Sequence, residues 1–345
     1  MNKKLMALAV AGACVAPTAM AQTANPVTLY GRVYVNIQSV EAKGGPAASN
    51  ASNRMQVSDD SSLLGVRGTE DIGGGNKVFF QLETAFKPDS NAAVSNTFAQ
   101  RNSAVGLQGG WGSLLAGRWD SPYKVLTYGA DIFGDLNLGG ITAALHDRGN
   151  FDVRQQNVIQ YWTPNFAGFT VKLAGTANEG KTASLNPRQF AGNLVWSRGP
   201  IALSYAYEEH KDVSATIRKE TGNEGVVEFK FGAFKVSGIY EEIKKDGTTK
   251  QKNYLASLLW TAGKHQVGYQ FSNSKDGGAN GAETQPDCDV NAVGYFYNWS
   301  KRSQFVATYV KVDNNAASVC KFGSNDVGGA GADREGFGVG IKHVF

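Results

Sequence analysis

The sequence predicts an all-β protein, a transmembrane antiparallel β-barrel of about sixteen strands. Three observations predict this class: segments that alternate apolar and polar residues, connections that alternate in length, and an export signal at the N-terminus. Residues 336–345 illustrate the alternation, because Phe337, Val339 and Ile341 fall on one face of an extended chain. We expect this segment to be the final strand.

The first residues have the anatomy of a secretory signal peptide. Lys3 and Lys4 precede an apolar run over residues 5–15, and residues 19–21 form a small-x-small cleavage site. The chain is therefore expected to divide into a signal peptide, residues 1–21, and one barrel domain, residues 22–345.

Composition and charge exclude several classes of protein. The net charge of +4 is small and no block of like charge is present, so the chain offers no global basic field for nucleic acid. No segment after residue 21 approaches the roughly 18 consecutive apolar residues that a spanning helix needs. The 42 glycines, about twice ordinary usage, favour strands and tight turns. A mature chain in a bilayer is therefore expected to cross it as strands.

The first candidate strand, Val27–Ser39, has one apolar and one polar face. Leu29 and Val33 share the first face, and Arg32 and Tyr34 share the second. Further candidates follow in order: Ser58–Gly68, Lys77–Phe86, Gln100–Gln108, Ser113–Trp119, Arg154–Trp162, Phe169–Thr176, Gln189–Arg198, Ile201–Glu209, Gly225–Phe231, Phe234–Glu242, Lys252–Trp260, His265–Asn273, Val290–Trp299, Ser303–Asp313 and Glu335–Phe345. Their lengths suit the roughly 9 to 11 residues of a tilted membrane strand.

The connections between these segments alternate in length. Short turns fall at Glu70–Asn76, Gly109–Gly112, Thr163–Gly168, Gly199-Pro200, Gly232-Ala233, Thr261–Lys264 and Ser300–Arg302, and longer polar stretches lie between them. Outer-membrane barrels have short periplasmic turns and long external loops, whereas a soluble sandwich has no reason to sort its loops in this way. Aromatic residues beside the short turns, such as Trp111, Trp260 and Trp299, suit a membrane–water boundary.

A sheet in hydrocarbon cannot leave an open edge, because each unpaired backbone N–H or C=O costs several kcal/mol. The first strand is therefore expected to pair with the last. A ring of about sixteen strands is too wide for its side chains to fill. We expect a water-filled path for small hydrophilic solutes and ions, with outer-membrane lipid outside it and no cofactor or metal site.

Four motifs resemble the general diffusion porins of Gram-negative outer membranes, especially those of the β-proteobacterial and neisserial branch. They are VTLYG at 27–31, SSLLGVRGTEDIGGGNKVFFQLE at 61–83, RNSAVGLQGGWGSLLAGRW at 101–119 and GIKHVF at 340–345. The likeness spans the mature chain and is weakest in the loops. It implies a barrel that assembles as a homotrimer in the cell outer membrane.

The resemblance also implies that the third external loop folds inward and narrows the pore. In this chain Ser121–Asp152 is the third long connection, and it carries Asp131 and Asp135. Its glycines would let it bend back into the barrel. Charges of both signs across a narrow neck would orient dipolar solutes and hinder apolar ones.

Three arginines match wall positions of the family and are candidates for the pore constriction. Arg32 lies on the polar face of the first strand, Arg118 on the strand that leads into the third loop, and Arg154 on the strand that follows it. They are expected to face Asp131 and Asp135. The ordinary alternative for each arginine is a solvated charge at a loop edge.

Parity is irregular at Arg118. This residue shares a face with Leu114 and Ala116 unless Gly117 carries a β-bulge, which a glycine beside a functional turn favours.

The sequence departs from the family at two lumenal positions. Leu63 stands where family hairpins usually carry arginine, on the same face as Arg67, and Tyr34 replaces an acidic residue. Arg67 and Tyr34 are further candidates for the pore wall. The lost arginine weakens anion selectivity and the lost acid favours it, so we expect a mild preference for anions.

Other functions have weaker support. The 4 histidines, at 146, 210, 265 and 343, lie in no recognisable metal or nucleophile motif, so we expect no enzyme. An adhesin or receptor would use the long external loops, which lack repeats and aromatic-rich tips. Residues 70–75 contain glycines without a Gly-Lys-Ser/Thr ending, so we expect a tight turn there rather than a phosphate loop.

Cys288 and Cys320 remain after the expected cleavage, an even number in an exported protein. They fall in the predicted seventh and eighth external loops. Export permits a disulfide between them, and two free thiols are the alternative.

Overall fold

A computed structural model describes residues 27–90, 98–134, 137–141, 145, 149–246, 250–276, 287–316, 318, 320–323 and 326–345. Strands dominate, and short 3₁₀ helices occur at Ala47–Ser49, Lys124–Gly129 and Gly149–Phe151. Within these ranges no helix has the length and apolar character needed to span a bilayer. The predicted signal peptide, residues 1–21, lies outside them.

The strands run in chain order around one antiparallel sheet. They are β1 Thr28–Lys43, β2 Ala51–Asp59, β3 Leu63–Gly73, β4 Asn76–Ala85, β5 Ser103–Gly109, β6 Gly112–Asp120, β7 Arg154–Trp162, β8 Phe169–Thr176, β9 Arg188–Arg198, β10 Ile201–Lys211, β11 Lys219–Phe231, β12 Phe234–Lys245, β13 Lys250–Ala262, β14 His265–Asp276, β15 Asp287–Asn298, β16 Ser303–Asn314 and β17 Asp333–Val344. β2 pairs with the second half of β1, and β3 pairs with its first half. These two segments share one position, so the 17 segments form a ring of sixteen strands, as predicted.

The ring closes between β1 and β17. Their register runs from Arg32 opposite Val344 to Lys43 opposite Asp333. Beyond it, Gly31 N donates to Phe345 O at 3.1 Å and Phe345 N donates to Gly31 O at 3.0 Å. Each of the two strands thus has a partner on both sides, which confirms the predicted pairing of the first strand with the last.

The strands present apolar side chains outward and mostly polar side chains inward. On β1, Leu29 and Ile37 are 60% and 50% exposed, whereas Asn36 and Gln38 are 2% and 1% exposed. The exposed series continues around the ring with Leu107, Leu114, Leu173, Leu194, Leu203, Val227, Leu258, Val293 and Phe337. This is the face predicted to meet lipid.

The short turns include the glycine-rich segment between β3 and β4. Gly73, Gly74 and Gly75 all have positive φ, at 83°, 62° and 76°. Asp71 Oδ1 accepts a hydrogen bond from Gly73 N at 2.8 Å, which closes the turn locally. The segment is the tight turn expected from the sequence, because glycine adopts this left-handed conformation without steric cost.

Several strands extend further than predicted. β11 begins at Lys219 and β12 ends at Lys245, inside stretches that were expected to be loops. Apart from buried Ile243, the added residues are polar or glycine, so the backbone ladder continues after the apolar alternation has ended.

The predicted strand Ser58–Gly68 is wrong, because the structure interrupts it at residues 60–62. Ser61 has a φ of 79°, which breaks the extended geometry. β2 instead begins at Ala51, within a predicted loop.

Candidate pore constriction

Loop 3, defined as residues 121–153 between β6 and β7, contacts the buried faces of distant strands. Ser257 Oγ of β13 donates to Ala130 O at 3.0 Å, and Gln270 Nε2 of β14 donates to Gly139 O at 3.0 Å. Tyr123 Oη donates in the other direction, to a glutamate of β12 at 2.9 Å. The loop is therefore hydrogen-bonded to the inward faces of three neighbouring strands.

Asn137 attaches loop 3 to the first strand. Its Nδ2 donates to Tyr34 Oη at 2.8 Å and to Asp60 Oδ2 at 3.2 Å. Asn36 Nδ2 donates to the same Asp60 oxygen. All four side chains are buried. Buried polar groups are costly to leave unpaired, so this cluster fixes the loop against β1. Tyr34 therefore serves to attach loop 3 to the first strand.

Glycines on the inner face make room for apolar side chains of loop 3. A Cβ placed on Gly294 of β15 would lie 2.5 Å from Phe133 Cε1, and one on Gly338 of β17 would lie 3.2 Å from Leu138 Cδ1. Phe133 and Leu138 are 3% and 1% exposed and belong to one apolar cluster with residues of β1, β15 and β16. Apolar burial therefore adds to the polar attachments of the loop.

Arg32 and Lys342 lie on adjacent strands at the same part of the inner wall. The Lys342 ammonium is 5.8 Å from the centre of the Tyr34 ring, which is its register partner. Arg32 Nη2 donates to Ser61 O at 2.7 Å, at the interruption between β2 and β3. Arg32 and Asp131 of loop 3 both act electrostatically on Lys342. Lys342 is therefore within electrostatic reach of both Arg32 and Asp131.

The Asp131 carboxylate is held by the backbone of its own loop. Oδ1 accepts hydrogen bonds from Phe133 N at 3.0 Å and Gly134 N at 3.1 Å, and Oδ2 accepts one from Ile141 N at 3.4 Å. These bonds fix the position of the negative charge. The other predicted loop acid, Asp135, lies outside the described residues.

Arg67 lies on the inner face of β3, with its guanidinium carbon 4.9 Å from the centre of the Tyr30 ring. Leu63 of the same strand stands directly opposite Arg32, a pairing that the sequence analysis did not predict. Glu83 on β4 is ion-paired with Arg101, with Nε 2.6 Å from Oε1. This part of the wall is rich in charge. Leu63 lies there between the cations Arg32 and Arg67.

The β6–β7 register shifts between Gly117 and Trp119, at the position where the sequence called for a bulge. Gly117 has a φ of 153°. Arg118 Nε is buried and makes no hydrogen bond within the described residues. Arg118 lines a cavity of about 610 Å³ together with Lys124 and Arg154.

Arg154 is ion-paired with a buried acid. Its Nε lies 3.2 Å from Asp120 Oδ1, and the two residues are partners in the β6–β7 register. Asn102 Nδ2 and Tyr128 Oη donate to the other carboxylate oxygen at 2.7 Å and 3.2 Å. Much of the Arg154 charge is therefore compensated by Asp120, a residue that sequence analysis did not single out.

The sixteen-stranded ring can be compared with known proteins. Residues 7–317 match the family model described as Gram-negative porin. The chain belongs to the Gram-negative porin family. Outer membrane porin protein 32 of Delftia acidovorans is 31% identical to this porin over 100% of both chains. The major outer membrane protein P.IB of Neisseria gonorrhoeae is 26% identical, over 88% of this porin and 91% of the relative.

Solved structures share the fold of this porin. The anion-selective porin from Comamonas acidovorans superposes with a TM-score of 0.76 at 27% identity, over 93% of this chain and 100% of that one. OmpF of Salmonella typhi, in complex with daunomycin, superposes with a TM-score of 0.67 at 16% identity, over 93% and 98%. The family match confirms the resemblance seen in the sequence. This porin is an outer-membrane diffusion channel. The adhesin alternative gains no support from these relatives.

Sequence analysis of the porin missed Lys342. The alternation of the final strand places Lys342 on the same face as Gly338 and Gly340, opposite Tyr34 once β1 and β17 are paired. The alternation of the last strand alone indicates that Lys342 faces inward. Its position opposite Tyr34 depends on the register between β1 and β17, which the sequence of one strand does not contain.

His210 of the porin is buried between two carboxylates. Its Nε2 lies 2.7 Å from Glu208 Oε1, and its Nδ1 lies 3.4 Å from Glu220 Oε2. The ring stacks on Phe151 of loop 3, with centroids 4.6 Å apart. In the described ranges, no group of three or more His, Cys, Asp and Glu side chains is arranged to hold a metal ion. The stacking of His210 on Phe151 packs the end of loop 3 against β10.

Cys288 and Cys320 of the porin are joined by a disulfide, with their Cα atoms 6.4 Å apart. Cys320 lies in the connection between β16 and β17. Cys288 is the second residue of β15 rather than a loop residue, because that strand begins earlier than predicted. Both cysteines are buried, at 3% and 0% exposure. The bridge therefore links the start of β15 to the connection between β16 and β17.

Proposed function

We propose that this porin passes small hydrophilic solutes and ions with a mild preference for anions. The preference is set at a neck between loop 3 and the wall formed by β17, β1, β3 and β4. The supporting observation is the balance of charge there: four cations, Arg32, Arg67, Arg101 and Lys342, stand against three acids, Asp60, Glu83 and Asp131. An excess of one positive charge favours anions weakly.

The partners of these groups strengthen the argument. Glu83 is ion-paired and Asp131 is hydrogen-bonded to three backbone N–H groups, so both negative charges are partly compensated. Arg67 and Lys342 lie over aromatic rings and have no ion pair within the described residues. Their charges remain available to a passing anion.

Loop 3 narrows the path in this proposal. Its hydrogen bonds to β1, β12, β13 and β14, its packing on β15 and β16, and the contact of Leu138 with Gly338 of β17 support a course along the inner wall. Salt at 0.1 M screens charges over about 10 Å, so a narrower neck keeps part of its field. Asp131 on the loop and Arg32 on the wall would then orient dipolar solutes between them.

Arg118 and Arg154 contribute less to selectivity than Arg32 in this proposal. Arg154 is compensated by buried Asp120, and both arginines line a cavity beside the base of loop 3. Arg154 fixes the start of β7 to the end of β6 through Asp120, and both arginines keep the entrance basic.

The proposal includes the assembly expected from the family resemblance. The precursor loses residues 1–21 on export, and the mature porin forms a homotrimer embedded in outer-membrane lipid. Its relatives are channels rather than enzymes, and we assign it no catalytic role.

The test is the reversal potential of refolded porin in a planar bilayer under a potassium chloride gradient. We expect a potential of the sign given by chloride preference. Leu63→Arg restores a cation opposite Arg32 and should raise the preference severalfold, whereas Leu63→Gln, which is polar but uncharged, should leave it close to the wild type. A cation-preferring wild type, or no difference between the two variants, would refute the proposal.

A further inference from the structure

Three aromatic side chains on the inner wall surround one cavity. This aromatic cavity has a volume of about 340 Å³, and its lining includes Arg67, Phe79, Gln108, Ser113, Trp119 and Trp162. Ser113 and Trp162 are register partners beside two of the short turns, so the cavity lies toward that end of the barrel. It belongs to the sector formed by β3–β7.

Trp162 and its neighbour Tyr161 point in opposite directions. Tyr161 is the register partner of Leu114, which is exposed on the outer surface, and it stacks on Trp111 with ring centroids 6.3 Å apart. Trp162 shares the inner face with buried Gln160, whose Oε1 accepts a hydrogen bond from Trp162 Nε1 at 3.0 Å. A girdle at the membrane surface explains Trp111 and Tyr161, but it does not explain a tryptophan that faces the lumen.

The three aromatic rings are set at different angles around the cavity. Trp119 packs on inner-face residues of β7, β8 and β9, and its ring centroid is 5.7 Å from that of Trp162, with the planes 59° apart. Phe79 lies over Gly106, where a Cβ would come within 2.5 Å of Phe79 Cζ. All three aromatic residues are half-buried, so each leaves part of its surface open. Grouped apolar surface that stays open to water is typical of a ligand-binding groove.

Two cations flank the aromatic cavity. Arg67 lines it, with its guanidinium carbon 4.9 Å from the centre of the Tyr30 ring, and its N–H groups donate to no acceptor within the described residues. Lys172 Nζ lies 4.7 Å from the centre of the Trp162 ring and has no ion pair in the same part of the chain. Among the described residues that line the cavity, none is acidic. The site therefore combines flat apolar faces with positive charge.

We infer that the aromatic cavity binds monocyclic aromatic carboxylates on their way through the pore. The carboxylate pairs with Arg67, because a guanidinium group donates to both carboxylate oxygens in one plane. The ring of the solute packs against Trp119, Trp162 and Phe79 in offset or edge-to-face contacts. This inference rests on the proposed passage of small anions and narrows it to one class of solute.

The test compares benzoate with cyclohexanecarboxylate, which has the same charge and a similar size but no aromatic ring. Each is added to refolded porin in a planar bilayer that carries a potassium chloride current. A solute that stays in the lumen interrupts the current, so the concentration that halves the current reports its affinity. We expect benzoate to block at a concentration about three to ten times lower than cyclohexanecarboxylate, which is the range of an aromatic contact.

Three variants locate the binding site. Trp162→Leu and Phe79→Leu each keep an apolar side chain without the ring, so each should reduce the ratio of the two blocking concentrations by about twofold or more. Trp111→Leu is the matched control, because it removes an outward ring near the same end of the barrel and should keep the wild-type ratio. The ratio cancels general changes in pore width, since both solutes experience them.

The contribution of charge is tested separately. Arg67→Gln should weaken the block by both carboxylates, and neutral benzyl alcohol should block the wild type more weakly than benzoate. An undiminished block in Arg67→Gln, or equal block by benzyl alcohol, would show that the cavity does not select carboxylates and would overturn the inference.

The aromatic part of the inference has its own contrary results. These are equal block by the two carboxylates in the wild type, an unchanged ratio in both Trp162→Leu and Phe79→Leu, and an equal fall of the ratio in Trp111→Leu. The reversal potential in potassium chloride is recorded on the same channels. A cation-preferring wild type would refute the proposed ion preference, whereas the ratio of the two carboxylates would still report on the cavity.

Discussion

Lys342 combines a lumenal position with a charge that has no ion pair within the described residues. It lies beside Arg32 across the β1–β17 seam, interacts electrostatically with Asp131 and stacks near Tyr34. A residue at such a point influences every ion that passes, whereas a solvated charge at the rim is screened.

Neutralising Lys342 should therefore change selectivity with little effect on stability. Lys342→Gln removes one of four cations at the neck, so we expect the anion preference to fall to about zero or to reverse slightly. Reversal potentials under a salt gradient measure the change. Lys311→Gln is the control, because Lys311 is exposed and paired with Asp313 at 2.6 Å outside the lumen. An unchanged potential in Lys342→Gln would exclude this residue from the neck.

The alternation of side chains along a strand predicts which face a residue lies on, but it does not predict which residues of other strands it contacts. Alternation predicted that Arg32 and Leu63 lie on the polar faces of their strands, and the two residues are register partners and therefore share one face. The pairing of Arg154 with Asp120 was not predicted, since it depends on the register of two strands separated by the whole of loop 3. Alternation within one strand carries no information on that register.

Loop 3 is held to the wall by a combination of polar attachments and shape. Asn137 bonds to Tyr34 and Asp60, while Phe133 fills the space left by Gly294. The sequence predicted the position and length of this loop from the spacing of the strands. It could not predict which inner-wall glycines receive its side chains, because that depends on packing between residues far apart in the chain.

Filling the glycine space should displace the loop. The Cβ of Gly294→Val would lie 2.5 Å from Phe133 Cε1 and 3.0 Å from Phe296 Cζ, so the ring must move toward the centre of the pore. We expect a reduced single-channel conductance, measured in planar bilayers. Gly225→Val is the matched control, because a Cβ there meets nothing within 4 Å and points outward from β11. Equal conductance in the two variants would contradict the proposed packing.

At the scale of the whole molecule, the disulfide joins two parts of the external end. Cys288→Ser with Cys320→Ser removes a closure across a sequence separation of 32 residues. The chain-entropy relation gives a loss of about 3 to 4 kcal/mol in the free energy of unfolding. Urea titration of refolded porin, followed by tryptophan fluorescence, measures it.

Two comparisons make the disulfide prediction specific. Wild-type porin under reductant should unfold at the same urea concentration as the double variant, and reductant should not shift the double variant further. Alkylation of both cysteines in unreduced wild type would show that the bridge is not formed.

The seam between β1 and β17 also determines when this protein can be completed. The partner of the first strand is the last one made, with Arg32 opposite Val344. A chain that still lacks β17 leaves the edges of β1 and β16 without a partner. Such unpaired edges can pair with other chains in the periplasm. We expect membrane insertion to follow completion of translocation, and a periplasmic chaperone that shields the two edges would prevent them from pairing with other chains.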